Sequence, residues 1–553
     1  MRTIESWLPF LKWPRPTPLL LRNELLAGFT VALLMVPQSV AYAALANMPL
    51  VTGLYAAMLP AVMGVLWGGS TRLSIGPSAL TCVLISASLS GLAEPGSAHW
   101  VNLAVWLALL AGSLQLVMGV LRCGWLLNLI SSPVMTGFTQ AAGLLIIASQ
   151  LPALIGKQTD LSMNTTAMAF GLGSLALLLL AKRFAPRLPS IMLVVAASAG
   201  ASYLLGFASQ GGPVIGALPS ALPSLLLPGL LTWDEFSFLM VPAMVIALVS
   251  FLETAASART ENQRDGTVWR DNQDLIGQGL AKIASGLSGS FATSTSFSRS
   301  AISLAAGAQT GWAALGTTLF VLLALFASPA LFHVPRAVLA AVVILAVAGL
   351  LQPHLFVRLW RISKVEAATA GMTFAITLVT APKIYWGVLA GVLMGLSHFL
   401  HTRLHPRIIE VGLHSDGSLR DRHLWQLPPL IPDALALRMD AELDFAAASS
   451  FEKYIAQHLS LHPTVKHVCL FAQPINRIDA TGVETIGQLR RQLQAQGITL
   501  HISGIKLPVE TALRLAGELP ESPWLCLYRT DTEALEKLAQ LQVLPDDIAG
   551  AAI

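Results

Sequence analysis

From about residue 25 to about residue 402 the chain is a succession of apolar runs broken by Gly, Pro and short polar loops. Each run is near the length a helix needs to cross a hydrocarbon layer, and the pattern predicts about fourteen such segments, some unusually short. A long connection at residues 207 to 236, poor in polar residues and holding several Gly and Pro, falls midway. It divides the apolar region into two blocks of about seven helices, residues 25–207 and 237–402. Residues 403–432 are expected to form a polar, proline-containing linker, and the pattern changes again at about residue 433. There ALALRMD, HVCLFA and ITLHIS have strand character, whereas FAAASSFEKYIAQHL and TGVETIGQLRRQLQAQG have helical periodicity, which predicts a soluble α/β domain over residues 433–553. At about 120 residues that domain is long enough to bury its own core.

Composition agrees with this division. Hydrophobic residues make up 54% of the chain and charged residues only 12%, and the mean hydropathy of +0.66 belongs to polytopic membrane proteins. The net charge of +4 comes from basic residues clustered in LRCGW, AKRFAPR, ARTENQRDGTVWRD, VRLWRISK and HTRLHPR. All of these fall on one side when fourteen crossings are numbered from a cytoplasmic N-terminus. The opposite loops hold few basic residues, among them Lys157, Arg336 and Lys383. The bias predicts a multi-pass protein of a bacterial-type inner membrane, with its N-terminus and C-terminal domain in the cytoplasm and no nucleic-acid partner. Cys82, Cys123, Cys469 and Cys526 are scattered without a CxxC pair, so neither disulfides, a metal site nor a cofactor is expected. MRTIESWLPFLKWPRPTPLL makes a poor signal peptide, and residues 1–24 are expected to be a cytoplasmic lead-in lying along the membrane surface.

Short, interrupted segments at corresponding places in two halves point to the inverted repeats of a transporter. The third segment opens with GGSTRLSIGPSAL (68–80) and the tenth with TSTSFSRSAIS (293–303). Both offer Ser, Thr and Gly ahead of a short apolar helix, and Pro77 suits a first helical turn. Close helix packing is the plainer explanation of any one such residue; the matched pair favours two helices that begin inside the membrane. Between Glu24 and Asp234 the only acidic residues are Glu94 and Asp160, both in loops, so Glu253 in FLMVPAMVIALVSFLETAAS stands apart. An intramembrane acid marks an ion or proton pathway, or else is a neutral structural group. Arg299 either neutralises Glu253 or joins two helix starts, each carrying about half a positive charge, in an anion site of roughly +2. Gln38 and Tyr42, four residues apart in VPQSVAYAAL, share a helical face, placed either to donate to an oxyanion or to bond a neighbouring helix.

VPQSVAYAALANMPLVTGLYAAMLP, STRLSIGPSAL, SFLETAASA and SFSRSAISLAAGAQTG resemble the ordered motifs of the SulP family, the sulfate-permease-type anion transporters, and the C-terminal region resembles their STAS domain. The resemblance covers nearly the whole chain. It implies a fourteen-helix, seven-plus-seven inverted-repeat fold with core and gate domains, usually dimeric, that moves its anion by an elevator-like displacement. It places the anion between Ser78 and Ala79 on one side and Phe297, Ser298 and Arg299 on the other. Gln38 and Tyr42 match positions that line the site in the plant sulfate-transporter branch, and Glu253 matches a glutamate there associated with proton coupling, which favours protons over sodium. In the STAS domain, NRIDATGVETI resembles the loop whose first serine is phosphorylated in anti-sigma-factor antagonists; Ala480 stands at that position and has no hydroxyl. Asp479 and Thr481 are expected to cap a helix. The expected function is proton-coupled uptake of sulfate or a similar oxyanion. The alternatives are a bicarbonate or C4-dicarboxylate transporter, an anion exchanger, a channel, or an anion-sensing regulator that signals through the STAS domain.

Overall fold

The computed structural model describes residues 8–157, 164–185, 189–219, 221–349 and 351–541. Asp160 lies outside them. The chain divides into two compact units, residues 1–395 and 396–553.

The first unit is helical. In chain order its first half holds α1 (Pro18–Leu45), the broken pair α2 (Leu50–Ala56) and α3 (Leu59–Trp67), α4 (Ala79–Leu89), α5 (Ala98–Val120), α6 (Ser132–Leu154), α7 (Thr165–Phe184) and α8 (Ser190–Leu204). The second half holds α9 (Trp233–Asp265), α10 (Asp271–Leu287), α11 (Phe297–Ala305), α12 (Trp312–Phe326), α13 (Arg336–Ala348), α14 (His354–Ile362), α15 (Lys364–Val379) and α16 (Tyr385–Leu404). Among the described residues, six spans, with α2 and α3 taken as one, are long and apolar enough to cross a membrane unaided. Helix α14 buries none of its residues. With α2 and α3 taken as one and α14 set apart, each half contributes seven segments.

The halves correspond in packing as well as in order. Helix α1 packs on α12 as α9 packs on α5; α6 packs on α15 as α13 packs on α7; α1 meets α11 as α9 meets α4. Each pair becomes the other when the two halves are exchanged, as an inverted repeat requires. Proline recurs too: Pro37 inside α1 and Pro242 inside α9 each remove one rung of the helical ladder. Glycine permits close contact of α5 with α10, since a Cβ on Gly112 of α5 would lie 2.8 Å from the Gly279 carbonyl of α10, and one on Gly279 an equal distance from the Gly112 carbonyl. Two short strands, β1 (Ile75–Gly76) and β2 (Ser294–Thr295), precede α4 and α11.

The second unit is a six-stranded sheet in the order β4-β3-β5-β6-β7-β8. Its elements are β3 (Ile408–Leu413), β4 (Leu419–Asp421), β5 (Ala434–Met439), α17 (Ala448–Leu461), β6 (His467–Phe471), α18 (Ala480–Ala495), β7 (Thr499–Ser503), α19 (Leu507–Leu515), β8 (Leu525–Tyr528) and α20 (Asp531–Leu541). Strands β5 to β8 run parallel and β3 pairs antiparallel with both β4 and β5. Leu435, Leu437, Val468, Leu470, Leu500 and Ile502 bury one face with Phe451 and Ile455 of α17 and Ile486, Leu489 and Leu493 of α18. Residues 403–432, expected as a linker, carry β3 and β4; in β3, Ile409 and Val411 sit two apart and bury one face of the strand. Asp479 caps α18 as expected, accepting from the Gly482 N–H at 2.8 Å while its other oxygen accepts from the Phe445 N–H at 2.9 Å.

Candidate functional site

Helices α4 and α11 have 11 and 9 residues, and at about 1.5 Å per residue neither spans much more than half of a hydrocarbon core of about 30 Å. Their beginnings meet inside the unit. Strands β1 and β2 pair antiparallel, Ile75 opposite Thr295 and Gly76 opposite Ser294, which satisfies backbone groups that an irregular chain at that depth would leave unpaired. A serine caps each helix: Ser78 Oγ accepts from the Thr81 N–H at 3.3 Å, and Ser296 Oγ from the Arg299 N–H at 3.5 Å. Pro77, expected in the first turn of α4, lies instead just before the cap, where its lack of an N–H costs nothing and its carbonyl is free to accept.

Two buried carboxylates hold the lead-in to β1. Asp274, at the start of α10, accepts from the N–H groups of Gly69 and Ser70 at 2.8 and 2.9 Å, and from Ser70 Oγ and Trp269 Nε1 at 2.7 Å each. Arg72 Nε lies 3.0 Å from Glu261 Oε1. A carboxylate with this many donors is a structural clamp.

The expected site residues divide into two groups around this junction. Arg299 is 1% exposed and points into the crossing of the two strands. Its Nη2 donates to the Pro77 carbonyl at 2.8 Å, Nε to Ser74 Oγ at 3.2 Å and Nη1 to Gln38 Oε1 at 3.5 Å. Gln38 thus accepts from the arginine, and its expected partner Tyr42, one turn on, faces elsewhere. Tyr42, Ser78, Ala79, Glu253, Phe297 and Ser298 line one cavity of about 660 Å³. The cavity therefore gathers six of the eight residues, with Arg299 and Gln38 supporting it from behind. Glu253 is held by Ser78 Oγ, which donates at 3.0 and 3.3 Å to its two oxygens, and by Ser294 Oγ. Each hydroxyl has one proton, so Ser78 serves one oxygen at a time. No ion pair between Glu253 and Arg299 is formed among the described residues.

Three further residues escaped the sequence reading. Ser294 is one; its only advertisement was a run of serines and threonines. Arg259 lines the same cavity, with its guanidinium 5.5 Å from the centre of the Trp269 ring; in the sequence it passes for one of the basic residues that set orientation. Lys282 is the third, fully buried in α10 with Nζ 2.8 Å from Gln115 Oε1.

Residues 21–373 match the model of the sulfate permease family, and residues 428–531 match that of the STAS domain. The chain belongs to the sulfate permease family. Within it, a probable sulfate transporter of Mycobacterium tuberculosis is 30% identical over 519 residues, covering 90% of this chain and 92% of its own. The chloroplastic sulfate transporter 4.1 of Arabidopsis thaliana is 29% identical over 94% of this chain and 80% of its own. Among solved structures, the murine anion transporter Slc26a9 in its inward-facing state superposes with a TM-score of 0.86 at 19% identity, over 98% of this chain and 95% of its own. The transmembrane domain of a cyanobacterial bicarbonate transporter, BicA, gives 0.59 at 19% identity, over 69% of this chain and 99% of its own. These likenesses establish the fold: a multi-pass helical membrane domain followed by a C-terminal α/β STAS domain.

Proposed function

We propose that this family member is a secondary active transporter, not an enzyme, that takes up sulfate or a similar oxyanion together with protons. Anion transport is what its named relatives share; the coupling ion is argued from Glu253. The observation that carries the proposal is the cavity at which the starts of α4 and α11 meet beside that carboxyl. Two helix starts and Arg299 supply a positive charge of roughly +2, to which Arg259 at the cavity wall adds another, and Ser78, Ala79, Phe297 and Ser298 stand where an anion would accept backbone and hydroxyl hydrogen bonds, with Tyr42 as a further donor. Glu253 in its ionised form subtracts a charge beside that site, and protonation restores it. Proton and dianion therefore favour each other's binding by one reciprocal coupling free energy. Displacement of the crossing helices as a rigid group, in the elevator manner, exposes the same site to either side. The working form is taken to be a homodimer in a bacterial-type inner membrane, with the N-terminus and STAS domain cytoplasmic.

The test is uptake into proteoliposomes of sulfate, bicarbonate, nitrate, chloride and C4-dicarboxylates, with and without a pH gradient and with and without sodium. Sulfate accumulation stimulated by external acid is expected, and Glu253→Gln should exchange sulfate without accumulating it. Equal accumulation with equal pH dependence in both proteins would make Glu253 structural; uptake of bicarbonate alone, with a sodium requirement, would replace the substrate and the coupling ion together.

A further inference from the structure

Lys282 has no role in the site as described so far, yet it is among the largest fully buried side chains of the protein. An ammonium carries three donors and one full charge, and burying it without compensation costs several kcal/mol. Its hydrogen-bond partner is the neutral Gln115 Oε1 at 2.8 Å. That amide leads onward: Gln115 Nε2 donates to the Ala247 carbonyl at 2.6 Å and to Ser250 Oγ at 3.0 Å. The Ser250 carbonyl accepts from Thr254 Oγ1 at 2.9 Å and is 3.4 Å from Ser294 Oγ, which also binds Glu253. Lysine and glutamate are therefore the two ends of one buried polar chain, built from α10, α5, α9 and β2. The Gly112 and Gly279 contact brings α5 close enough to α10 for Gln115 to stand beside the lysine.

Other charges do not compete for Lys282. Helix α3 and the 3-10 turn Gly124–Leu129, which pack on α10, have no titratable side chain. Helix α5 has only His99, at its far end and paired with Glu235 at 3.0 Å. The described titratable side chains of α9 are Asp234, Glu235, Glu253, Arg259 and Glu261, and of these Glu253 is the one that the buried polar chain joins to Lys282. On α10 itself, Asp274 is saturated by its four donors and Asp271 belongs to the same first turn.

We propose that Lys282 is the fixed counter-charge of Glu253, a positioning residue that allows the carboxyl to release its proton during the transport cycle. The proposal rests on the proton-coupled reading above. A carboxyl buried beside a bound dianion holds its proton against two negative charges, and a proton that never leaves couples nothing. The lysine ammonium opposes that hold from the side away from the anion, without occupying the cavity. It also adds one positive charge to the potential an entering dianion meets.

The experiment compares wild type with Lys282→Gln, Lys282→Met, Glu253→Gln and the Lys282→Gln/Glu253→Gln double variant, in proteoliposomes and by melting of the purified full-length protein. The methionine keeps the length of the side chain without its charge, in case the glutamine disturbs packing. The pH midpoint of sulfate uptake should rise by about one unit in both lysine variants, while maximal uptake falls about tenfold because the more tightly held proton leaves more slowly. An unchanged midpoint with wild-type uptake in either one overturns the proposal. Failure of the proton-coupled reading is visible separately, as absence of acid stimulation in wild type. Melting then decides the pairing alone: a double variant no less stable than the worse single supports it, and losses that simply add overturn it.

Discussion

Both units of the chain bury ionisable side chains, and they do so on different terms. In the helical unit Arg299, Glu253 and Lys282 are each held by neutral groups, namely carbonyls, hydroxyls and an amide; the first two stand at the starts of two half-helices and a buried polar chain links the third to Glu253. In the STAS unit His501 lies 3.0 Å from His467 and 3.0 Å from the Tyr528 hydroxyl, between strands β6 and β8 of the sheet. Burial comes first, and the neighbouring His467 second, in pushing the His501 imidazole down to about 4, so at neutral pH this network carries no charge. Charge buried around a cavity is available for work on a ligand; polar groups buried neutral hold strands together.

The largest effect is expected where the buried charge has most partners. Arg299→Ala should abolish uptake and also lower the melting temperature, because Ser74, Pro77 and Gln38 lose a donor together. Truncating one member of a buried, hydrogen-bonded charged contact costs about 2–5 kcal/mol, which corresponds to a loss of about 30-fold or more. Arg299→Lys should be impaired as well, since one ammonium cannot reproduce a fork reaching three acceptors in different directions. Uptake and melting close to wild type in either variant would erase the distinction between the two units.

The next test divides the two capped helix starts. Ser78 and Ser296 cap equivalent helices, but only Ser78 also donates to Glu253. Replacement of either by alanine removes a cap worth about 0.5–2 kcal/mol; Ser78→Ala should lose about 1.5–3 kcal/mol more through its contact with a charged group, and it alone should alter the pH profile of uptake. Equal profiles in the two variants would show that Glu253 does not depend on that hydroxyl. In the STAS unit Asp479→Ala is a cap removal without a ligand, expected to cost about 0.5–2 kcal/mol and to leave anion preference unchanged.

The sequence announced these features unequally, for physical reasons. Glu253 and Arg299 were legible because a charge among apolar residues has few uses, and the half-helix starts because serine and glycine cannot continue an apolar span. Direction was not legible. A four-residue spacing put Gln38 and Tyr42 on one face of α1, yet a tertiary contact turned Gln38 to Arg299 and left Tyr42 alone to the cavity. Lys282 lies in a segment that also carries Asp271, Asp274 and Gln278, where a lysine is read as reaching water by extending its stem; only the approach of α5 shows that it cannot. Strands β3 and β4 were missed because β4 is a three-residue edge strand, β3 is short, and prolines nearby imitate a linker.

The smallest effect concerns acid and the STAS sheet. The His501 imidazole titrates near 4 in the folded protein and near 6.5 when unfolded, so the unfolded chain binds the extra proton first. Stability from this group is therefore complete above pH of about 6.5 and is lost as pH falls towards about 4, at no more than about 1.4 kcal/mol per unit. His467, lowered in the same direction by its own burial, adds to the trend. The protection factors of β7 amides in the full-length protein, with exchange corrected for its intrinsic pH dependence, should fall between pH 7 and pH 5.5 by about tenfold at most. His501→Gln should flatten that dependence while leaving sulfate uptake at neutral pH unchanged. If β7 protection factors are equal at both pH values, the imidazole is not held neutral and the contrast between a charged helical interior and a neutral sheet interior loses its second half.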